Sequence, residues 1–149
     1  MLHFEGDKDF PQAPAELWSK LSDARFLAES IPDVQSVTQA EAQAAALTVR
    51  PGFSFVRGTL DVTLRVAEPV EASSVRLLAH SKGIGSSSDV EATLKFAPQG
   101  GGTQVHWVVE VKQLGGLLKA VPQGLIKASA QKVIGDVWAS VERRLAGSA

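Results

Sequence analysis

The sequence contains no cysteine. That excludes disulfides, thiolate metal sites, iron–sulfur clusters and a cysteine nucleophile. It also lacks an excess of basic charge, since 15 Lys and Arg against 16 Asp and Glu leave a net charge of −1, which argues against a nucleic-acid partner. No uncharged apolar run approaches the roughly 20 residues needed to span a bilayer. Glu5, Asp7, Lys8 and Asp9 stand where a signal peptide would need an apolar stretch, so a cytoplasmic protein is expected. Internal repeats and low-complexity tracts are missing too. What is present is 149 residues, 44% of them apolar, enough for one domain over 1–149 with a real core.

The chain opens with an alternation of Leu2 and Phe4 against His3 and Glu5, which predicts a strand ending at Pro11. The period then changes. Leu17, Trp18 and Leu21 fall at helical spacing, and "DARFLAESIP" predicts a second short helix capped by Asp23 and stopped before Pro32. For about 80 residues beyond Pro32 the signals are those of five or six strands. Leu60, Val62, Leu64 and Val66 alternate with Thr59, Asp61, Thr63 and Arg65; Val90, Ala92, Leu94 and Phe96 form a second inward row, and Val105, Trp107, Val109 and Val111 a third. Val75, Leu77 and Ala79 form a shorter one. Pro51-Gly52, Glu68-Pro69, Gly83/Gly85 and Gly100-Gly101-Gly102 punctuate these runs as hairpin connections.

The stretch "KGIGSSSDV" has the look of a glycine loop for phosphate, but such a loop must lead into a helix whose N-terminal amides face the anion. Here it leads into a strand, so Gly83 and Gly85 are read as turn or bulge glycines and Ser86, Ser87 and Ser88 as turn residues. No Gly-x-Ser-x-Gly elbow surrounds those serines. The last third, from Leu114 onward, reads as one long helix broken or kinked at Pro122. At 100° per residue Ile126, Ala130, Val133, Ile134, Val137, Trp138, Val141 and Leu145 fall in an arc of about 140°, suited to lying across a sheet.

The expected architecture is therefore α+β: a curved antiparallel sheet of about six or seven strands, two short helices after the first strand, and a long C-terminal helix across the sheet. A curved sheet around a helix can leave a ligand cavity between them.

At this point the sequence resembles the START-like (SRPBCC) helix-grip superfamily and, within it, the G-subunit family of carbon monoxide dehydrogenase. The resemblance covers nearly the whole chain and rests on "FEGDKDFPQAPAELWSKLSD", "FLAESIPDV", "FSFVRGTLDV", "KGIGSSSDVEATLKF" and "GGTQVHWVVEVKQLGGLL". Asp33 and Val34 replace the glycine and cysteine often found after the Ile-Pro pair in that family. With Ala149 as the last residue, the membrane approach that a C-terminal extension gives longer members of that family is not expected. The resemblance implies a noncatalytic protein that binds an apolar ligand such as a lipid or quinone, and that assists an oxidoreductase of the molybdenum hydroxylase type.

The residues expected to line the cavity are Leu60, Val62, Leu64, Leu77, Leu94, Trp107, Val109, Leu118, Leu125, Ile126, Ala130 and Val133, with Phe53, Phe55, Gly115 and Gly116 at its mouth. The Leu114–Leu118 junction is read as an entrance flap. Neither catalytic residues, nor a metal, nor a cofactor is expected. His3-Phe4-Glu5 mimics a zinc-deaminase fragment but has no cysteine ligands to complete it. His80 and His106 sit opposite the apolar rows and read as surface residues. Asp7/Asp9 and Asp89/Glu91 read as solvated pairs. Two competing readings remain: a cyclase- or hydrolase-like enzyme with His80 or His106 as proton carrier facing the cavity, and a protein-interaction module with a filled interior. Ala128, Gly135 and Ala139 form a small-residue stripe compatible with a homodimer, against a monomer in which Gly135 is merely tolerated.

Overall fold

A computed structural model describes residues 2–50, 58–83 and 85–147. Strand β1 (Leu2–Phe10) is followed by helices α1 (Pro14–Leu21) and α2 (Ala24–Ser30). Strands β2 (Val34–Ala40), β3 (Ala44–Val49), β4 (Leu60–Val70), β5 (Ser74–Gly83), β6 (Ser86–Gln99) and β7 (Gly102–Gly116) come next, then a 3-10 turn (Leu117–Ala120) and helix α3 (Gln123–Gly147). The seven strands form one antiparallel sheet in the order β1-β7-β6-β5-β4-β3-β2. Each strand from β2 to β7 pairs with its sequence neighbour, as short connections favour, and β1 closes onto β7.

Helix α1 has Pro14 at its start, where the missing N–H costs nothing. Helix α2 is capped by Asp23, whose carboxylate accepts from the Arg25 backbone N–H at 2.9 Å and from the Arg25 guanidinium at 2.8 and 3.0 Å. That guanidinium hydrogen bond holds the Asp23 carboxyl below its ordinary range; partial burial opposes the shift and the Arg25 backbone N–H reinforces it. A carboxylate favoured by the folded state stabilises above its unfolded pKa and stops doing so as pH falls through the folded value. Asp23→Ala is thus expected to cost about 1 kcal/mol at neutral pH. The difference from wild type should shrink on acidification below the ordinary carboxylate range, as urea denaturation at a series of pH values would read out.

One boundary differs from the sequence expectation. Leu114, Gly115 and Gly116 belong to β7, paired with Ser88, Ser87 and Ser86, and α3 begins only after Pro122. Gly116 has φ +61°, and a side chain there would collide with the Gly85 carbonyl, which accepts from the Leu117 backbone N–H at 3.0 Å. Cross-strand pairing captures the glycines, and the Pro122 carbonyl takes the first α3 amide bonds, from Leu125 and Ile126. For the same reason Ser86, Ser87 and Ser88 are strand residues rather than turn residues. Gly85, at φ +68°, makes the turn before them. Asp33 sits at φ +63°, a left-handed conformation that favours glycine.

The core is divided among three clusters. The first lies beneath the C-terminal half of α3 and includes Leu17, Leu21, Val75, Leu94, Val105, Trp138 and Val141. The second joins α2 to β3 through Ala24, Ala28, Ala45, Leu47 and Val49. The third packs Ile126, at the start of α3, on Leu2, Phe4 and Val111.

Gly135 on α3 is exposed, and a Cβ placed on it would meet nothing within 4 Å. Gly135→Ala should therefore stabilise an isolated chain by about 1 kcal/mol through helix propensity alone. Thermal unfolding would show it, and a loss of stability would mean that Gly135 packs against something outside the chain.

Candidate functional site: a cavity where three clusters meet

The inner faces of the central strands form a regular grid. Across the sheet run the rows Leu64–Ala79–Val90 and Val66–Leu77–Ala92–Val109, followed by Val75–Leu94–Trp107. In the first two rows β5 and β6 contribute Ala79 and Ala92, where their neighbours carry valine or leucine. Those two truncations leave volume between the sheet and α3 that the surrounding side chains do not fill. The result is a cavity of about 200 Å³.

Its floor is Leu64, Val66, Leu77, Ala79, Val90, Ala92, Leu94, Trp107 and Val109; Leu21, Ala24, Leu27 and Ile31 form one wall. Helix α3 roofs it with Val133, Ile134, Val137, Trp138 and Val141. Arg65 also borders the cavity, but it is exposed and alternates to the outer side of β4; every other lining residue is apolar. Trp107 is positioned by a glycine. It pairs directly with Gly6 on β1, and a Cβ on Gly6 would stand 2.8 Å from the indole, so a side chain at position 6 would push the ring away. Trp138 follows at 6.4 Å between ring centroids.

Of the residues expected to line the cavity, Leu64, Leu77, Leu94, Trp107, Val109 and Val133 are brought together there. Six are placed elsewhere. Leu60 and Val62 share the inner face of β4 but pack against the α2–β3 cluster. Leu118, Ile126 and Ala130 belong to the β1–β7 cluster at the start of α3, and Leu125 is 41% exposed. Gly115 and Gly116 are locked into strand pairing with β6, which is not the geometry of a hinged flap. Phe53 and Phe55 lie outside the described residues. The expectation missed Ala79 and Ala92, although an alanine inside an otherwise bulky inner row is a legible sign of missing volume. It also left out Leu21, Leu27 and Ile31, which periodicity marks as core without saying which surface they meet.

His80 and His106 lie on the outer face of the sheet, away from the cavity. Cross-strand register gives each carboxylate neighbours: His80 Nδ1 is 2.6 Å from Asp89, and His106 contacts Asp7 at 2.9 Å and Glu5 at 3.3 Å. All these groups are exposed. Among the described residues no three His, Asp or Glu side chains converge to hold a metal, and no helix is long and apolar enough to cross a membrane.

A sheet gripping a long C-terminal helix over an apolar cavity defines a START-like helix-grip protein. The same fold is seen in a conserved protein from Geobacillus kaustophilus (TM-score 0.86, 22% identity, 99% of this chain and 97% of that one). A START superfamily protein from Mycobacterium smegmatis shares it (TM-score 0.70, 13% identity, 99% of both chains), as does a protein from Thermus thermophilus (0.67, 16%, 99% and 100%). The chain belongs to the carbon monoxide dehydrogenase G-subunit (CoxG) family, whose sequence model matches residues 6–146. No curated protein matches the sequence.

Proposed function

We propose that this protein is a single-domain, noncatalytic cytoplasmic carrier of a small hydrophobic ligand, a lipid, quinone or similar molecule, held between the sheet and α3, and that it serves as an accessory to an oxidoreductase of the carbon monoxide dehydrogenase type. The observation that carries the ligand reading is the apolar cavity itself. An apolar void of about 150 Å³ stays dry and takes up benzene, so 200 Å³ suits a ring-sized body or one segment of a longer molecule. Affinity would come from apolar burial, at about 25 cal/mol per Å² before the costs of association. The accessory role rests on family membership. The enzymatic alternative required His80 or His106 to face the cavity, and both face the other way. The interaction-module alternative called for a filled interior, which the cavity speaks against.

Native mass spectrometry of freshly purified protein, followed by organic extraction, tests the carrier reading. A stoichiometric apolar adduct is expected. A clean apo mass that persists after incubation with quinones and neutral lipids would overturn it in favour of an interaction module.

A further inference from the structure

Beyond the Ala79/Val90 row the inner faces of β5 and β6 turn polar. Directly beyond the Ala79/Val90 row, on the same inner face, Ser81 and Ser88 oppose each other across β5 and β6, and their hydroxyls are hydrogen-bonded at 2.5 Å. In the same cross-strand row their neighbours are Val62 on β4 and Leu114 on β7, so each serine is the other's polar partner in an otherwise apolar band. Both are half-buried. A serine pair shares only one of its two protons in that bond, which leaves one O–H and several lone pairs free for a third group. Two residues of extended strand put the pair about 7 Å from the Ala79/Val90 row that floors the cavity.

We infer that Ser81 and Ser88 anchor the polar end of the ligand, and that the ligand class is a neutral amphiphile carrying a hydroxyl or carbonyl oxygen about 7 Å from its apolar body. This rests on the cavity being the binding site. A carbonyl oxygen would accept from the free serine proton, and a hydroxyl could also donate to a serine oxygen. A carboxylate is selected against. The cavity lining offers no inward cation, since Arg65 alternates to the outer face, and a buried anion without a partner is far costlier than a buried neutral oxygen.

Three probes of matched skeleton separate the possibilities: n-butylbenzene, 4-phenylbutan-1-ol and 4-phenylbutanoate, titrated at pH 7 against the wild type and the Ser81→Ala/Ser88→Ala variant. Calorimetry gives the affinity, and the emission of Trp107 and Trp138, which line the cavity, gives a second signal. In the wild type the alcohol should bind at least as tightly as butylbenzene, and the carboxylate at least about tenfold more weakly than the alcohol. In the variant butylbenzene should be unchanged, while the alcohol falls about tenfold below it, the effect of a hydroxyl buried without a partner. Circular dichroism checks that the variant is folded, and Ser81→Ala alone, which leaves Ser88 in place, should show a smaller loss of the same sign. An alcohol-to-butylbenzene ratio that is the same in both proteins, or a carboxylate that binds tightest, overturns the serine anchor while leaving the cavity reading intact. Failure of butylbenzene itself to bind overturns the cavity reading and the anchor with it.

Discussion

Ala92→Phe is expected to abolish ligand uptake while leaving the fold in place. Ala92 sits in the middle of the cavity floor, between Leu77 and Val109 in its cross-strand row. A phenyl ring there projects into a void of about 200 Å³ and occupies the position of a ring-sized ligand. Losing roughly 100 Å² of apolar contact at about 25 cal/mol per Å² removes about 2.5 kcal/mol, close to a hundredfold in Kd. Stability should change little or rise, because the added atoms enter empty space rather than a packed core, where they would cost about 1–3 kcal/mol. Binding titrations beside a thermal melt read both quantities. Undiminished uptake with an unchanged melt would place the ligand somewhere other than between the sheet and α3.

Arg144→Ala is expected to produce the largest loss of stability among surface-reaching side chains. Arg144 lies on the last turns of α3, where a cation complements the helix dipole, but its main work is to tie α3 to α2. Its guanidinium donates to the Phe26 carbonyl at 2.6 Å and to Ser30 Oγ at 2.9 Å, and it meets Glu29 at 2.5 Å. The Phe26 ring lies 4.3 Å from the guanidinium carbon. Ser30 is fully buried. Hydrogen bonds to a charged donor contribute about 1.5–3 kcal/mol, and the cation–π contact adds about 0.5–1. A loss of about 2–3 kcal/mol would lower Tm by roughly 5–10 °C for a chain of this size. Because α2 supplies Leu27 and Ile31 to the cavity wall, ligand affinity should fall as well. Arg144→Lys keeps the charge but cannot reach all three acceptors in one plane, so it should recover only part of the loss. Full recovery by lysine would mean that charge alone matters at this position.

Much of the architecture was legible in the sequence because each strand with one wet face declares its parity. The Leu64, Leu94 and Trp107 rows all point inward as their alternation predicts. The Asp23 cap and the α3 arc were likewise local signals, decided within a few residues by hydrogen bonding and helical periodicity. The Leu114–Gly116 boundary was not, because its conformation depends on pairing with Ser86–Ser88 in another strand. The histidine–carboxylate contacts were hidden in the same way: Asp7 and His106 are 99 positions apart in the chain and adjacent only through the β1–β7 register.

The candidate site shows where the division falls. Parity says which face of β4 is buried, so Leu60, Val62 and Leu64 were indistinguishable; all three pack against the α2–β3 cluster, and only the tertiary packing also sets Leu64 at a void. On α3 the same holds for Ile126 and Ala130 against Val133 and Val137, which share one helical face but meet different parts of the sheet. The sequence by itself determined the order of elements, the inward faces and the family. The tertiary structure alone decided where along those faces the packing fails to close, because a cavity is a property of three surfaces meeting at once and no periodicity within one segment encodes it.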